Sequence, residues 1–323
     1  MTTPGKPTHP NSQPSDSTPC DGAATSCPSD ALIRRENVIF VGSESDYDSF
    51  WLKMMFIAAA YVLTCGGLRS ADKKTLAYVD IEYTRYEKLA FDYLKEKAGF
   101  NIIKLASSSD IVKHINTRPE SMEGGKKVKL LLQDVAFFSH GVPGAIKLNF
   151  RGPIGTPDID FSKSELSATR KDAFVPDGRI YSYACRTGVS KVWESFSSDA
   201  EAGMEDSLAQ MMANHYKVEV HAFLRRSFYG GVLRERSTSS AIAEALKEAR
   251  KTQEGQVIDL PPEHQALPHP GLADGLFSGA VREGTSEYAL WRKAGGIQLP
   301  GPGESPKGLS AGMHVFTPQS SPS

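Results

Sequence analysis

Val135-Ala136-Phe137-Phe138-Ser139-His140-Gly141 is an apolar run that halts at a serine, a histidine and a glycine. A short continuous apolar stretch bounded by such residues reads as a fully buried strand, with the serine, histidine and glycine at its carboxyl end. Arg179-Ile180-Tyr181-Ser182-Tyr183-Ala184-Cys185 repeats the arrangement, a strand over Arg179 to Ala184 that delivers a cysteine. The segments around these two decide how they are assembled.

Short apolar segments alternate with helical ones on both sides of the pair. Asn37 to Val41 predicts a buried strand stopped by Gly42. Phe50 to Thr64 predicts an apolar helix, with Asp46 or Asp48 as its cap and Gly66-Gly67 as its end. Thr75 to Ile81 predicts a strand, Arg85 to Ala98 an amphipathic helix closed by Gly99, Phe100 to Leu105 a strand, and Ser107 to Ile115 a short capped helix. The strand over Lys127 to Phe138 comes next, and Ala145 to Phe150 folds back as a hairpin arm. Met204 to Tyr216 predicts a helix, Lys217 to Phe223 a fifth strand of the alternating type, and Ser237 to Lys251 a helix. Glu287 to Trp291 and Met313 to Phe316 are short strands able to dock on the sheet. Strands separated by helices specify an α/β fold of three layers, a mostly parallel central sheet flanked by helices. Chemistry in such sheets gathers at the carboxyl ends of the strands, where His140 and Cys185 stand.

Composition narrows the function classes. Lys and Arg number 37 against 38 Asp and Glu, for a net charge of −1. A nucleic-acid or anionic-membrane partner calls for an excess of basic charge, so neither is expected. Four cysteines, Cys20, Cys27, Cys65 and Cys185, show no CxxC spacing, and no disulfide framework, zinc site or other cofactor is expected. The run from Met54 to Cys65 is shorter than the about 20 residues a bilayer span needs, so a buried helix is the expectation. Met1 to Asp30 is rich in Pro, Ser and Thr, without the basic start and apolar stretch of a signal peptide, which points to a soluble, cytoplasmic protein.

A thiol at one strand end and an imidazole at the next suit nucleophilic acyl transfer. An ordinary cysteine titrates near about 8.5, so a neighbouring base is required to make thiolate at neutral pH. His140 serves as that base, and afterwards as the acid for the leaving amine. Gly141 leaves the N–H beside the histidine uncovered, and with the N–H of Cys185 it makes an oxyanion hole.

These residues carry a resemblance. Phe137-Phe138-Ser139-His140-Gly141 resembles the strand-Ser-His-Gly segment of caspases, and Tyr183-Ala184-Cys185-Arg186-Thr187-Gly188 resembles their Gln-Ala-Cys-Arg-Gly nucleophile segment, which has its histidine roughly 50 residues upstream. The wider group holds metacaspases, gingipains, clostripain, legumain and separase. The likeness spans about Thr75 to Phe223 and implies the caspase-like fold, a Cys/His dyad and hydrolysis of peptide bonds in a protein or peptide substrate. Tyr183 stands where caspases carry Gln, and Thr187 is additional. Asp80 and Glu82, close to where family members place specificity determinants, are with Tyr183 the candidates for the substrate pocket, the two acids selecting a basic side chain.

The organisation is then a disordered leader over residues 1–35, a peptidase domain over 36–255, and a Pro/Gly-rich segment over 256–323 partly docked on it. Two other readings stand beside the peptidase. One is an inactive caspase-like scaffold that binds a partner through the same groove. The other is a nucleotide- or flavin-binding doubly wound module, with Gly42-Ser43 at the phosphate. His215 and His221 are read as packed or solvated residues and Arg225-Arg226 as a solvated edge.

Overall fold

A computed structural model of the chain describes residues 31–45, 53–64, 67–83, 85–229, 232 and 299–319. The cap candidates Asp46 and Asp48, the thiols Cys20, Cys27 and Cys65, Gly66, the helix over Ser237 to Lys251 and the strand over Glu287 to Trp291 lie outside the described residues.

The central sheet has 8 strands. Seven of them are β1 (Leu32–Val41), β2 (Lys73–Val79), β3 (Asn101–Leu105), β4 (Lys126–Phe138), β5 (Phe174–Ser182), β6 (Glu219–Phe223) and β7 (Met313–Phe316), in the spatial order β7-β6-β5-β4-β1-β2-β3. Neighbours run parallel from β6 to β3. The edge strand β7 is antiparallel on β6, and the eighth strand, Glu120–Glu123, is an antiparallel arm on the start of β4. The connecting helices are α1 (Met55–Thr64), α2 (Arg85–Ala98), α3 (Ser108–Asn116), α4 (Lys163–Ser167) and α5 (Leu208–Tyr216).

Side chains that alternate across a strand must be covered twice, and two cores result. Val38 and Phe40 of β1 join Ala77, Val135 and Phe137 on one face, against Ile111 and Ile115 of α3 and Leu208 and Met212 of α5. Ile39 and Val41 join Leu76, Ala136 and Phe138 on the other, against α1 and against Phe91 and Leu94 of α2. Each fully buried ring or branched chain contributes about 1.5–3 kcal/mol. α1 has buried residues on every side, which is why its apolar run shows no periodicity. Among the described residues, no helix is long and apolar enough to cross a membrane.

The boundaries differ from the sequence expectation where non-local pairing takes over. β1 starts at Leu32 rather than Asn37, because Leu32 to Arg34 pair with Val128 to Leu130 of β4 although Leu32 and Ile33 are exposed. The folded part therefore begins ahead of residue 36. α5 begins at Leu208, after two short 3-10 turns, where the Ser207 hydroxyl caps the Gln210 N–H.

Candidate active site

β4 ends at Phe138 and the chain turns into a small hairpin, His140–Val142 against Ala145–Lys147, closed at Gly144 with φ 85°. A left-handed backbone there is why the turn uses glycine. Ser139 is buried at the corner, its N–H donating to the Tyr229 hydroxyl at 3.2 Å. That hydroxyl donates in turn to the Tyr183 carbonyl at 3.0 Å, so one buried phenol ties the exits of β4 and β5 together.

His140 is held from three directions. Its Nε2 lies 2.7 Å from Oε2 of Glu44, whose side chain has no exposure at all. Glu44 arrives from Ser43–Glu44, a two-residue strand parallel to Asn149–Phe150. The Phe56 ring meets the imidazole edge-on at 5.1 Å, and Phe150 flanks it at the same distance. A carboxylate can only accept, so Nε2 carries the proton and Nδ1 is left as the basic nitrogen.

Cys185 comes after β5, once the Tyr183 N–H has extended the ladder to the Phe137 carbonyl at 3.0 Å. Arg186 then takes a left-handed backbone, φ 58°, and its N–H donates to the Arg225 carbonyl. A non-glycine residue there costs on the order of 1 kcal/mol, which the surrounding bonds must offset. The half-buried Cys185 Sγ lies 3.2 Å from the Ser227 hydroxyl and accepts from the Ser227 N–H at 3.3 Å.

The two strand ends touch backbone to backbone. A Cβ added to Gly141 would sit 2.5 Å from the Cys185 carbonyl oxygen and 2.8 Å from its nitrogen. His140, Gly141 and Cys185 therefore share one rim, on adjacent strands, with only glycine able to fit between them.

Of the remaining pocket candidates, Tyr183 is buried beneath that rim, and Asp80 and Glu82 stand at the carboxyl end of β2, two strands along it from β4. Tyr183 is corrected outright: its ring is 5 % exposed and stacks on Phe138 at 4.6 Å inside the core, where burial pushes its hydroxyl far above the ordinary range. Asp80 lies just past β2, two strands from β4, and is engaged by Lys88 at 2.5 Å and Lys104 at 2.7 Å. Burial raises its carboxyl, but the two lysines outweigh that and hold it below its usual value. Glu82 pairs with Lys53 at 3.4 Å. Both acids already have cationic partners from the chain itself.

The phosphate-turn reading is also corrected. The Gly42 N–H is spent on the Phe138 carbonyl and the Ser43 N–H on Leu148, whereas a phosphate cradle needs such donors unspent. His215 bonds Thr169 and His221 stacks on Tyr181, in keeping with packed roles. Arg225 and Arg226 are not merely solvated: Arg225 binds the Leu309 carbonyl and Arg226 binds Glu194. No group of three or more His, Cys, Asp and Glu with metal-site geometry occurs among the described residues.

Sequence reasoning missed Glu44 and Ser227. Neither carries a local signal, because each meets its partner only through the fold. Comparison with family models, with curated proteins and with solved structures gives no match for this chain.

Proposed function

We propose that the protein is a caspase-like cysteine endopeptidase with Cys185 as nucleophile and His140 as general base and acid. The observation that carries the reading is the contact of Gly141 with the Cys185 backbone at one rim, which seats histidine and thiol on adjacent strand ends. In the first half-reaction Nδ1 of His140 takes the thiol proton while Sγ bonds to the scissile carbonyl carbon. The C–N bond then breaks and the amine leaves with the proton from His140. Water, deprotonated by the same ring, releases the acid from the thioester. The N–H groups of Gly141 and Cys185 receive the oxyanion. Glu44 keeps the ring in the required tautomer.

Ser227 offers a docking edge for the substrate. Its N–H and carbonyl both face the thiol, at 3.3 and 3.9 Å from Sγ, while the opposite edge of Ser227–Phe228 is taken by Gly301–Pro302. An extended peptide added along the thiol-facing edge would lie across Cys185, as in other strand-addition complexes. Incubation of the full-length chain with peptidyl acyloxymethyl ketones, and then peptide mapping, tests the reading. Labelling of Cys185 that is lost in His140→Ala is expected. An unlabelled thiol across a diverse panel would favour the inactive scaffold.

A further inference from the structure

Arg186 directly follows Cys185, and Arg226 directly precedes Ser227, the two residues whose atoms meet at the thiol. Both guanidinium groups converge on one carboxylate. Arg186 donates to Oε1 of Glu194 at 3.0 Å, and Arg226 grips both oxygens of Glu194 at 2.6 and 2.8 Å. Arg186 is 6 % exposed in its side chain and uses Nη2 for the carbonyls of Lys191 and Trp193, at 2.9 and 2.7 Å. The loop that carries Glu194 is thus wrapped on the residue next to the nucleophile.

The far side of the same junction is closed by the C-terminal segment. Arg226 donates its backbone N–H to Ser305 at 2.7 Å and accepts from Gly303 at 2.6 Å, and its guanidinium reaches the Ser305 hydroxyl at 2.7 Å. The Lys307 N–H donates to the Glu194 carbonyl at 3.1 Å, and Phe196 donates back to Lys307 at 3.0 Å. Glu194 therefore joins three pieces far apart in sequence: the nucleophile turn, the Ser227 strand and the C-terminal strap. Arg226 first, and then Arg186, holds its carboxyl below the ordinary range against the cost of burial. A bidentate arginine fork fixes orientation as well as distance, which a lone surface pair does not.

We propose that Glu194 is a positioning residue which, through Arg186 and Arg226, sets the Ser227 strand against the Cys185 thiol. The proposal rests on the peptidase reading for its consequence in turnover, but its structural content can be measured without turnover. Removing the carboxylate leaves two adjacent guanidinium groups to repel each other, and the Ser227 strand loses its side-chain tie to the nucleophile turn. Because the Glu194 side chain is 60 % exposed, global stability should change little.

The test uses the full-length chain with Glu194→Ala, Glu194→Asp, Ser227→Ala and the Glu194→Ala/Ser227→Ala pair. Amide hydrogen exchange over residues 224–229 should rise by about tenfold in Glu194→Ala, with thermal unfolding nearly unchanged and Glu194→Asp between it and wild type. For peptide turnover, kcat/KM should fall by about tenfold in Glu194→Ala, as expected for a misplaced docking edge. Ser227→Ala removes the hydroxyl but keeps the backbone N–H and carbonyl of the docking edge, so Glu194→Ala should cost about tenfold in that background too. Unchanged exchange in a folded Glu194→Ala protein, or a kcat/KM that Glu194→Ala leaves unchanged, would overturn the proposal. Absence of turnover in wild type would count against the peptidase reading alone, and the exchange comparison would still decide the clamp.

Discussion

At the residue scale, His140 owes its protonation pattern to a carboxylate with no contact with water. The Glu44 oxygen at 2.7 Å calls for a proton on Nε2, and in the proposed mechanism this leaves the opposite nitrogen to act on the thiol. Glu44→Gln keeps the shape but can present an amide N–H to Nε2, favouring the other tautomer. It should lower kcat on the order of a hundredfold or more with little change in KM. Steady-state kinetics on wild type and variant measure this, and an unchanged kcat would remove Glu44 from the mechanism. The histidine and the cysteine can be read from the sequence because each ends an apolar run. Glu44 cannot, since Ser43-Glu44-Ser45 resembles any polar loop until Asn149–Phe150 pairs beside it. The expectation for Tyr183 fails for a related reason: its ring packs into the core layer that holds Phe138 and Phe223, beneath the rim, and that layer is assembled from strands far apart in sequence.

At the scale of elements, the long periodic pieces are legible in the sequence and the paired margins are not. α2 runs from Arg85 to Ala98 as the spacing of its apolar residues implies, and β7 docks at Met313–Phe316 as a short terminal strand. The expected arm over Ala145 to Phe150 divides in two. Ala145–Lys147 closes the hairpin with His140–Val142, while Asn149–Phe150 lies parallel to the strand that brings Glu44. Pairing partners so distant in sequence leave no local trace. The hairpin also supplies a steric constraint at the rim, because the Cβ of Gly141→Ala would lie 2.5 Å from the Cys185 carbonyl oxygen. Backbone cannot yield as a flexible side chain does, so the exits of β4 and β5 must separate. Gly141→Ala is expected to cost about 1–3 kcal/mol in urea unfolding and to depress turnover. Wild-type stability together with wild-type turnover would show that the rim tolerates a gap.

At the scale of the whole molecule, the two ends of the sheet are built differently. The proposed site lies at the carboxyl rim, while a buried ionic cluster anchors the strands at the amino side. Glu36 of β1 is fully buried and meets Arg118 at 2.7 Å, Lys73 of β2 at 3.0 Å and His114 of α3 at 3.5 Å, with the Thr75 hydroxyl donating at 2.6 Å. Burial pushes the carboxyl up, but His114, Arg118 and Thr75 together hold it far below its ordinary 4.5. A carboxyl depressed in the folded state adds stability above its unfolded pKa of about 4.3 and loses it as pH falls toward the folded value. Glu36→Gln strands the buried Arg118 without a counter-charge and should cost about 3–5 kcal/mol at neutral pH. The gap between wild type and variant should narrow steadily below about pH 4.5, as measured by urea unfolding along a pH series. A gap that stayed constant on acidification would mean the cluster does not hold the charge on Glu36.

Whether Cys185 and His140 act as one catalytic unit is decided by turnover of a peptide library. Full-length wild type, Cys185→Ala, His140→Ala and the double variant are compared, with circular dichroism to confirm folding. Wild type should cleave, both single variants should lose cleavage, and the double should lose nothing more, since either residue alone has nothing to cooperate with. Cleavage that persists in a folded Cys185→Ala protein would contradict the dyad.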